Sequence, residues 1–301
     1  MKQTNSSNKV VSLTNRISDK KGRVVEEDFQ KRNSNTRVIS ITSGKGGVGK
    51  TNIVANLGFS LSLLGKKVLI LDADLGLANL DVLLGLAPKY NFSHVMLGEK
   101  TIDEITVNGP GGITILPASS GIQELTKLTK EQSIRFLTEL DSLLHTYDIL
   151  LIDTAAGISS NVMYFNTSAQ EIMVVVSPEP TSITDAYALM KVLSLKYSQK
   201  NFKMIVNMAA NSEESREVFR QLSLVADRFL DITLEYMGHI LIDKNITKSV
   251  RRQKIVSEIM PDTDASKCFV TLAKNICNSA VQTYPEGETN FIWKYLLRDD
   301  F

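Results

Sequence analysis

The chain has 301 residues, of which 43% are hydrophobic and 22% are charged, and its formal net charge is +1. These proportions are typical of a globular protein with enough apolar material for one large α/β domain or two small ones. The near-zero net charge argues against bulk electrostatic capture of nucleic acid, and the longest apolar runs are too short to cross a bilayer.

The first 36 residues form a polar segment rich in Ser, Asn, Lys and Arg, with eight basic residues against four acidic ones. The segment shows no sustained apolar periodicity, which predicts a flexible basic arm. A solvated tail is favoured over a nucleic-acid contact. The remainder of the chain carries 26 basic against 29 acidic residues and is therefore slightly negative.

From residue 37 onward, short apolar runs alternate with stretches of helical periodicity. Continuous apolar strands separated by helices predict a mostly parallel sheet covered on both faces, that is, an α/β three-layer sandwich. The predicted strands are Val38–Thr42, Lys67–Leu71, Ile113–Leu116, Ile149–Ile152, Glu171–Val176, Lys203–Val206 and Leu234–Ile240. The predicted helices are Ile53–Leu64, Glu131–His145, Thr181–Tyr197, Glu213–Leu230 and Asp264–Val281.

The first strand is followed by GKGGVGKT, residues Gly44–Thr51, which fits the phosphate-binding pattern GxxxxGK[ST] and opens a helix. Glycines let backbone N–H groups turn toward phosphate oxygens, and the helix N-terminus favours negative charge. Lys50 is predicted to bind the β- and γ-phosphates and Thr51 to ligate Mg²⁺. A P-loop NTPase fold with ATP and Mg²⁺ as cofactors follows, and a glycine-rich turn without nucleotide is the alternative. The predicted nucleotide-binding residues here are Gly44, Lys45, Gly46, Gly47, Val48, Gly49, Lys50, Thr51 and Asn52.

Carboxylates stand at the ends of two predicted strands, where open α/β sheets bind their ligands. Asp72 and Asp74 end one strand, and they lean toward the same side because they are two residues apart. Asp153 ends the run Ile149–Ile152 and has the position of a Walker B carboxylate beside Mg²⁺. The small residues Thr154–Gly157 are predicted to form a phosphate-sensing turn. A helix N-cap is the plainer interpretation of Asp153.

The sequence KGGVGKT, with Lys45 at its first position, resembles the deviant Walker A motif of the MinD/ParA ATPases. The resemblance implies that two subunits enclose two nucleotides and that Lys45 reaches the phosphates bound by the other subunit. It also implies that Asp74 orients the attacking water and that Asp72 and Asp153 lie near Mg²⁺. Lys45, Lys50 and Asp74 are therefore the predicted catalytic residues, and Thr51, Asp72 and Asp153 the predicted metal-site residues.

Two further residues follow from the same resemblance. Asn207, placed at the end of a predicted strand, is expected to read the adenine edge, for which an amide offers both a donor and an acceptor. Asp243 follows the last predicted strand and is expected to lie near the base.

Several longer stretches resemble the FleN/FlhG regulators of flagellar number more than MinD or ParA. They include Asp72–Leu86, Gly109–Gly121, Ile152–Ile158, Glu179–Lys191 and Asp227–Asp231. This resemblance implies an ATP-dependent homodimer that restrains a flagellar transcription activator of the FleQ type. A flagellar GTPase, FlhF, is a further implied partner, although the first 36 residues lack the DQAxxLR segment with which some FlhG proteins stimulate it.

The resemblance covers about residues 37–284 and leaves residues 285–301 as a C-terminal amphipathic tail. Within that tail, NFIWKYLLR at Asn290–Arg298 has the composition of an interfacial membrane helix, and docking on the body is an equally weighted alternative. We expect a cytoplasmic protein, either free or peripheral on the inner face of the membrane or at the cell pole.

Proteins with other functions share this fold but require other residues. A positioning ATPase for cell division, or one that segregates DNA or cargo, is the alternative function, but direct nucleic-acid binding is disfavoured by the slightly negative body. An iron–sulfur carrier needs paired cysteine ligands, whereas Cys268 and Cys277 lie late in the chain without close spacing. Two buried small side chains are the simpler interpretation.

Overall fold

A computed structural model describes residues 36–74, 80–91, 94–95, 97–117, 139–140 and 142–280 of the protein. Its centre is an eight-stranded sheet with the strand order β3-β4-β2-β5-β1-β6-β7-β8. Every neighbouring pair is parallel apart from the antiparallel β3–β4 pair at one edge. The strands are β1 Arg37–Ser43, β2 Val68–Ala73, β3 Val107–Asn108, β4 Thr114–Leu116, β5 Ile149–Ala156, β6 Glu171–Val176, β7 Asn201–Ala209 and β8 Thr233–Leu241.

Helices cover both faces of this sheet, as expected for strands that are apolar on both sides. On one face, a core cluster joins residues of β1, β2 and β5 to helices 50–63, 80–84, 256–259 and 264–278. On the other face, two clusters contain residues of helices 102–105, 160–168, 180–197 and 212–229. Among the described residues, the helices are α1 Lys50–Leu63, α2 Leu80–Leu84, α3 Ile102–Ile105, α4 Ser160–Ser168, α5 Pro180–Tyr197, α6 Ser212–Phe229, α7 Lys244–Val250, α8 Val256–Ile259 and α9 Asp264–Asn278.

Local sequence sets the ends of these helices. Gly49 caps α1 in a left-handed conformation (φ 88°) that suits glycine, and Gly65 (φ 82°) follows its last turn. The Asn211 side chain accepts a hydrogen bond from the Glu214 N–H, which caps α6. These caps fix the residues at which α1 and α6 begin. Because the strands that precede the helices are parallel, the strand-to-helix turns all lie at the carboxyl ends of the strands.

The predicted α/β sandwich is confirmed, with two informative differences in strand length. β5 continues through Thr154–Ala156, which we expected to be a turn, because these residues pair with β1 and β2; the turn begins at Gly157 (φ 94°). β7 extends to Ala209, so Asn207 lies inside the strand instead of after it.

The body also begins one residue earlier than predicted. Thr36 is buried, and its hydroxyl donates to the carbonyls of Leu144 and Tyr147. Residues 1–35 and 281–301 lie outside the described residues, as do most of the helix expected at Glu131–His145 and the segment Asn290–Arg298. Within the described part of the chain, no helix is both long and apolar enough to cross a membrane.

Candidate nucleotide-binding active site

The phosphate loop lies between β1 and α1, at the centre of the sheet. β1 is hydrogen-bonded to β5 on one side and to β6 on the other, so the carboxyl ends of all three strands meet beneath the loop. Gly47 and Gly49 have positive φ angles of 78° and 88°, which only glycine adopts without strain. These two conformations allow the loop to turn sharply into the N-terminus of α1.

Lys50 is the buried cation of this loop. Its ammonium group donates to the Ser43 hydroxyl at 2.9 Å, and its side chain lies close enough to Asp153 and Asp74 to feel both charges. Burial lowers the pKa of Lys50, whereas Asp153 and Asp74 act to raise it. A buried ammonium at a helix N-terminus is well suited to receive the charge of nucleotide phosphates.

The carboxylates of β2 and β5 are brought together by strand register. Asp72 pairs directly with Asp153 across the two parallel strands. Asp72 accepts hydrogen bonds from the Asp74 N–H at 3.2 Å and from the Leu80 N–H at 3.4 Å. The predicted grouping of these carboxylates beside the phosphate loop is thus present in the fold.

Both paired carboxyls are perturbed by their surroundings. Burial raises the pKa of Asp153 to about 7; the Thr51 hydroxyl and Lys50 oppose this rise, and Asp74 adds to it. Burial, and after it the Asp153 charge, together raise the pKa of Asp72 to about 7, and the two backbone donors oppose this rise. Carboxyl groups perturbed by burial and by a neighbouring carboxylate are typical of functional sites.

The residues present fit Mg²⁺ and a nucleotide phosphate. Asp153 is only 1% exposed, yet neither of its carboxylate oxygens has a hydrogen-bond partner of good geometry among the described residues. A buried carboxylate without hydrogen-bond partners is normally satisfied by a bound cation or an ordered water. No group of three or more acidic, His or Cys side chains in the described part of the chain forms a metal cage by itself. Mg²⁺ is usually held by one or two side chains together with phosphates and water, which Thr51 and Asp153 allow.

A groove of about 280 Å³ lies beside the phosphate loop on the β7–β8 side. Asn207 and Asp243, the two residues expected near the base, both line it, together with the predicted loop residues Gly49 and Asn52. Its further lining residues, which sequence reasoning did not identify, are Ile53, Met208, Leu241, Ile242, Ile246, Thr247 and Phe269.

Asn207 has a second role that its position in the sequence did not indicate. Its amide Nδ2 donates to the Val48 carbonyl of the phosphate loop at 2.7 Å. A Cβ atom added to Gly49 would lie 2.4 Å from the same Nδ2 atom, so the loop and β7 are in close contact. Asn207 is therefore a structural link between the groove and the phosphate loop.

Asp243 lines the groove and is also the N-cap of α7. Its carboxylate accepts the Asn245 N–H at 2.7 Å, which fixes the side chain at the start of the helix. The expected place near a base is compatible with this geometry, but capping accounts for the residue without any ligand.

Lys45 is located differently from Lys50. Its ammonium group donates to the carboxylate of Glu179 and, at 2.8 Å, to the hydroxyl of Thr181, on the turn that opens α5. Both ends of the Lys45–Glu179 pair are partly exposed. The two lysines of the loop thus have separate environments, one buried among carboxylates and one on the rim.

A family model described as an AAA domain matches residues 36–206. The antiactivator FleN of Pseudomonas aeruginosa is 42% identical over 262 residues, which cover 87% of this chain and 94% of FleN. The chain belongs to the MinD/ParA family of P-loop ATPases, in its FleN/FlhG branch. The flagellum site-determining protein YlxH of Helicobacter pylori is 35% identical over 277 residues, 90% of this chain and 93% of YlxH.

Solved structures of the family share the fold. In the MinC:MinD cell division complex of Aquifex aeolicus, MinD matches with a TM-score of 0.65 and 30% identity, covering 83% of this chain and 99% of that one. MinD of Pyrococcus horikoshii, solved with Mg-ADP, matches with a TM-score of 0.64 and 27% identity over 81% of this chain and 96% of that one. The chain is accordingly a P-loop ATPase.

Proposed function

We propose that this ATPase is an ATP-dependent dimerising switch that regulates flagellar number or placement. FleN/FlhG relatives support the flagellar assignment, since two proteins with flagellar names or roles match nearly the whole chain. The finer proposal is that the ATP-bound dimer restrains a flagellar transcription activator, as the name antiactivator given to the Pseudomonas relative suggests.

The position of Lys45 is the observation that carries the proposal. A lysine needed by its own phosphate site would lie among the carboxylates, as Lys50 does, whereas Lys45 is bonded to Glu179 and Thr181 on the rim. From the rim, a flexible cation can leave an exposed ion pair at little cost, because such pairs contribute only about 0–1 kcal/mol. Supplied to the site of a second subunit, it would stabilise transition-state charge as an arginine finger does.

Asn207 supports ATP as the nucleotide. Because its Nδ2 atom donates to Val48, its Oδ1 atom is the acceptor left to face the groove. An acceptor suits the exocyclic amine of adenine and opposes the carbonyl that guanine carries at the same position. Mg²⁺ would be held by Thr51 and Asp153, and when bound it would neutralise charge that develops on the phosphates.

Light scattering with ATP tests the dimer. A hydrolysis-blocked Asp74→Ala protein should form a dimer with ATP and remain a monomer with ADP. Adding Lys45→Ala to this protein should keep nucleotide binding and abolish dimerisation, and Lys45→Ala alone should abolish turnover. Lys66→Ala, at an exposed lysine just before β2 and opposite the phosphate loop, should change neither dimerisation nor turnover. An unaltered ATPase rate in Lys45→Ala would remove the proposal.

A pull-down with the same ATP-loaded Asp74→Ala protein tests the output. Recovery of a flagellar transcription activator supports the proposed function. Recovery of DNA alone would favour a segregation ATPase instead. A flagellar GTPase in the eluate would add a second partner of the same switch.

We also propose that the protein acts in the cytoplasm and reaches the inner membrane surface through the amphipathic sequence at Asn290–Arg298. Co-sedimentation with anionic liposomes should then depend on ATP and be lost when residues 288–301 are removed. Equal sedimentation of both proteins would end this part of the proposal.

A further inference from the structure

A compact basic surface follows helix α7. Lys248, Arg251, Arg252 and Lys254 are all exposed, and with described residues none of them forms an ion pair. Backbone bonds hold the turn: the Arg251 N–H donates to Thr247 at 3.2 Å and the Lys254 N–H to Ser249 at 3.1 Å. Lys248, in the last turn of α7, also donates to the Asn245 amide oxygen at 3.2 Å. Together with the three cations on the turn that follows, it forms a preorganised anion-binding surface, which we call the basic turn.

The basic turn has no apolar anchor of its own. The next residues in the chain, Ile255 and Val256, are each 1% exposed and belong to the core. Val250 also packs against that core. An interfacial membrane site needs exposed apolar side chains beside its cations, so a lipid surface is a poor fit.

Its surroundings also disfavour a long polyanion. Asp243, Asp262 and Asp264 border a cleft beside α7, and Lys248 of the basic turn lines the same cleft. A nucleic-acid strand that followed the helix would meet these carboxylates after three or four favourable contacts. The surface therefore fits a short cluster of carboxylates better than a continuous row of phosphates.

The basic turn is hydrogen-bonded to helix α2, which follows Asp72 and Asp74 in the chain. Gln253 adopts a left-handed conformation (φ 53°), and its Nε2 atom donates to the Val82 carbonyl of α2 at 3.1 Å. Gly85 lies so close that an added Cβ would be 3.2 Å from the Gln253 Cβ. A left-handed glutamine is uncommon and persists only where its surroundings hold it.

Helix α2 is in turn attached to the active site. The N–H of Leu80, its first residue, donates to the Asp72 carboxylate at 3.4 Å. A cation bound beside Asp72 would compete with the Leu80 N–H for the carboxylate oxygens and so weaken the bond that holds α2. Asp72, Leu80, Val82 and Gln253 thus form a continuous connection between the nucleotide site and the basic turn.

We propose that the basic turn binds an acidic segment of a partner protein, with an affinity that depends on the bound nucleotide. The nucleotide dependence rests on the switch function proposed above, whereas the acidic-segment contact does not. The arginines suit this ligand because their guanidinium groups pair with carboxylates through two parallel hydrogen bonds.

Fluorescence anisotropy with a labelled peptide of eight glutamates tests the contact at low salt, with Mg-ADP and with a non-hydrolysable ATP analogue. Arg251→Glu/Arg252→Glu should weaken binding at least tenfold. The matched reversal Lys66→Glu/Lys67→Glu, at the opposite edge of the sheet, should change it less than twofold. Equal losses in both variants would overturn the proposal, as would tighter binding to a 20-base-pair DNA or to phosphatidylglycerol vesicles.

Gln253→Gly tests the connection, because glycine keeps the left-handed turn and removes the bond to Val82. This variant should bind the peptide within twofold of the wild type but lose the difference between the two nucleotides. If this variant still bound the peptide with different affinities in the two nucleotide states, the Gln253–Val82 hydrogen bond would not be the connection. If Arg251→Glu/Arg252→Glu unfolds the protein, the charge-neutral variant Arg251→Gln/Arg252→Gln replaces it in the peptide-binding test and should also weaken binding.

Light scattering on the same samples separates the two proposals. Peptide binding without ATP-dependent dimerisation would reject the switch and keep the acidic-segment site. Dimerisation without peptide binding would reject the site alone.

Discussion

Asp72 and Asp153 are register partners on β2 and β5, and each has a pKa raised to about 7 from an ordinary value of 3.8. Between those values the folded protein binds more protons than the unfolded chain. Both carboxyls therefore lower the stability of the ligand-free protein as pH rises from about 4 to 7. Asp153→Asn should remove the share of this loss that Asp153 causes, together with the charge that raises the pKa of Asp72. Its melting temperature should therefore exceed that of the wild type at pH 8 and approach it at pH 5.

Thermal unfolding followed by circular dichroism at pH 5, 6, 7 and 8 measures this difference. Asp227→Asn, at an exposed position on α6, is the matched control and should show no such trend. A difference in melting temperature between Asp153→Asn and the wild type that does not change with pH would contradict the raised pKa of Asp153. Mg²⁺ and ATP should raise the wild-type melting temperature most at pH 8, since a bound cation favours the ionised carboxylates.

Gly44→Ala should destabilise the protein before any nucleotide binds. The added Cβ would lie 2.1 Å from the main-chain carbonyl oxygen of Asp185 in α5, and no side-chain rotation can relieve this clash. Overpacking of this kind typically costs about 1–3 kcal/mol. Gly46→Ala is the matched control, because its added Cβ would meet no protein atom within 4 Å and its φ angle is not restrictive. Urea unfolding of both ligand-free variants checks the prediction, and equal midpoints would refute it.

Asn207→Ala should weaken nucleotide binding through the phosphate loop as well as through the base. Without Nδ2, the buried Val48 carbonyl loses its donor, and an unsatisfied buried group costs about 1–3 kcal/mol. We expect the affinity for ATP to fall roughly tenfold, in line with that cost.

Isothermal titration with ATP and GTP separates the two contributions of Asn207. A loss confined to ATP indicates base recognition alone, whereas a loss for both nucleotides indicates that the loop has moved. An ATP affinity equal to that of the wild type would show that Asn207 serves neither purpose.

Glu171→Gln should be strongly destabilising although it lies far from the nucleotide. Glu171 is fully buried and forms ion pairs with Arg37 at 2.5 Å and Lys203 at 2.7 Å. Removing its charge leaves the buried Arg37 without an ion-pair partner among the described residues and Lys203 with only the more distant Glu235, at 3.8 Å. Breaking a buried ion pair in this way costs about 3–5 kcal/mol. Chemical denaturation measures the loss. Glu217→Gln, in an exposed pair with Arg220, is the control and should lie within about 1 kcal/mol of the wild type.

Features set by local sequence were predicted well. The phosphate loop, Lys50 and the carboxylate Asp153 are recognisable because glycine spacing and a buried strand with an acidic end carry the chemistry within a few residues. The contacts of Lys45 with Glu179 and of Asn207 with Val48 were missed, since each joins residues more than 130 positions apart. The extension of β5 through Ala156 depends on parallel pairing with β1, which composition does not encode. Helix α4 was missed because its residues, SNVMYFNTS, lack strong helix formers and are stabilised by packing.

The hydrogen bond from the Arg37 guanidinium to the Ser279 hydroxyl, at 2.8 Å, joins the first strand to the residue after the last helix. Residues 1–35 and 281–301 consequently continue the chain from neighbouring points. β1 separates these points from the phosphate loop by about 20 Å, at roughly 3.3 Å per residue. A tether attached directly at residue 36 or residue 280 would hold the molecule with its nucleotide edge pointing outward. Fluorescent reporters joined directly at these two points, singly or as a pair for energy transfer, would therefore lie away from the edge at which two ATPases would close.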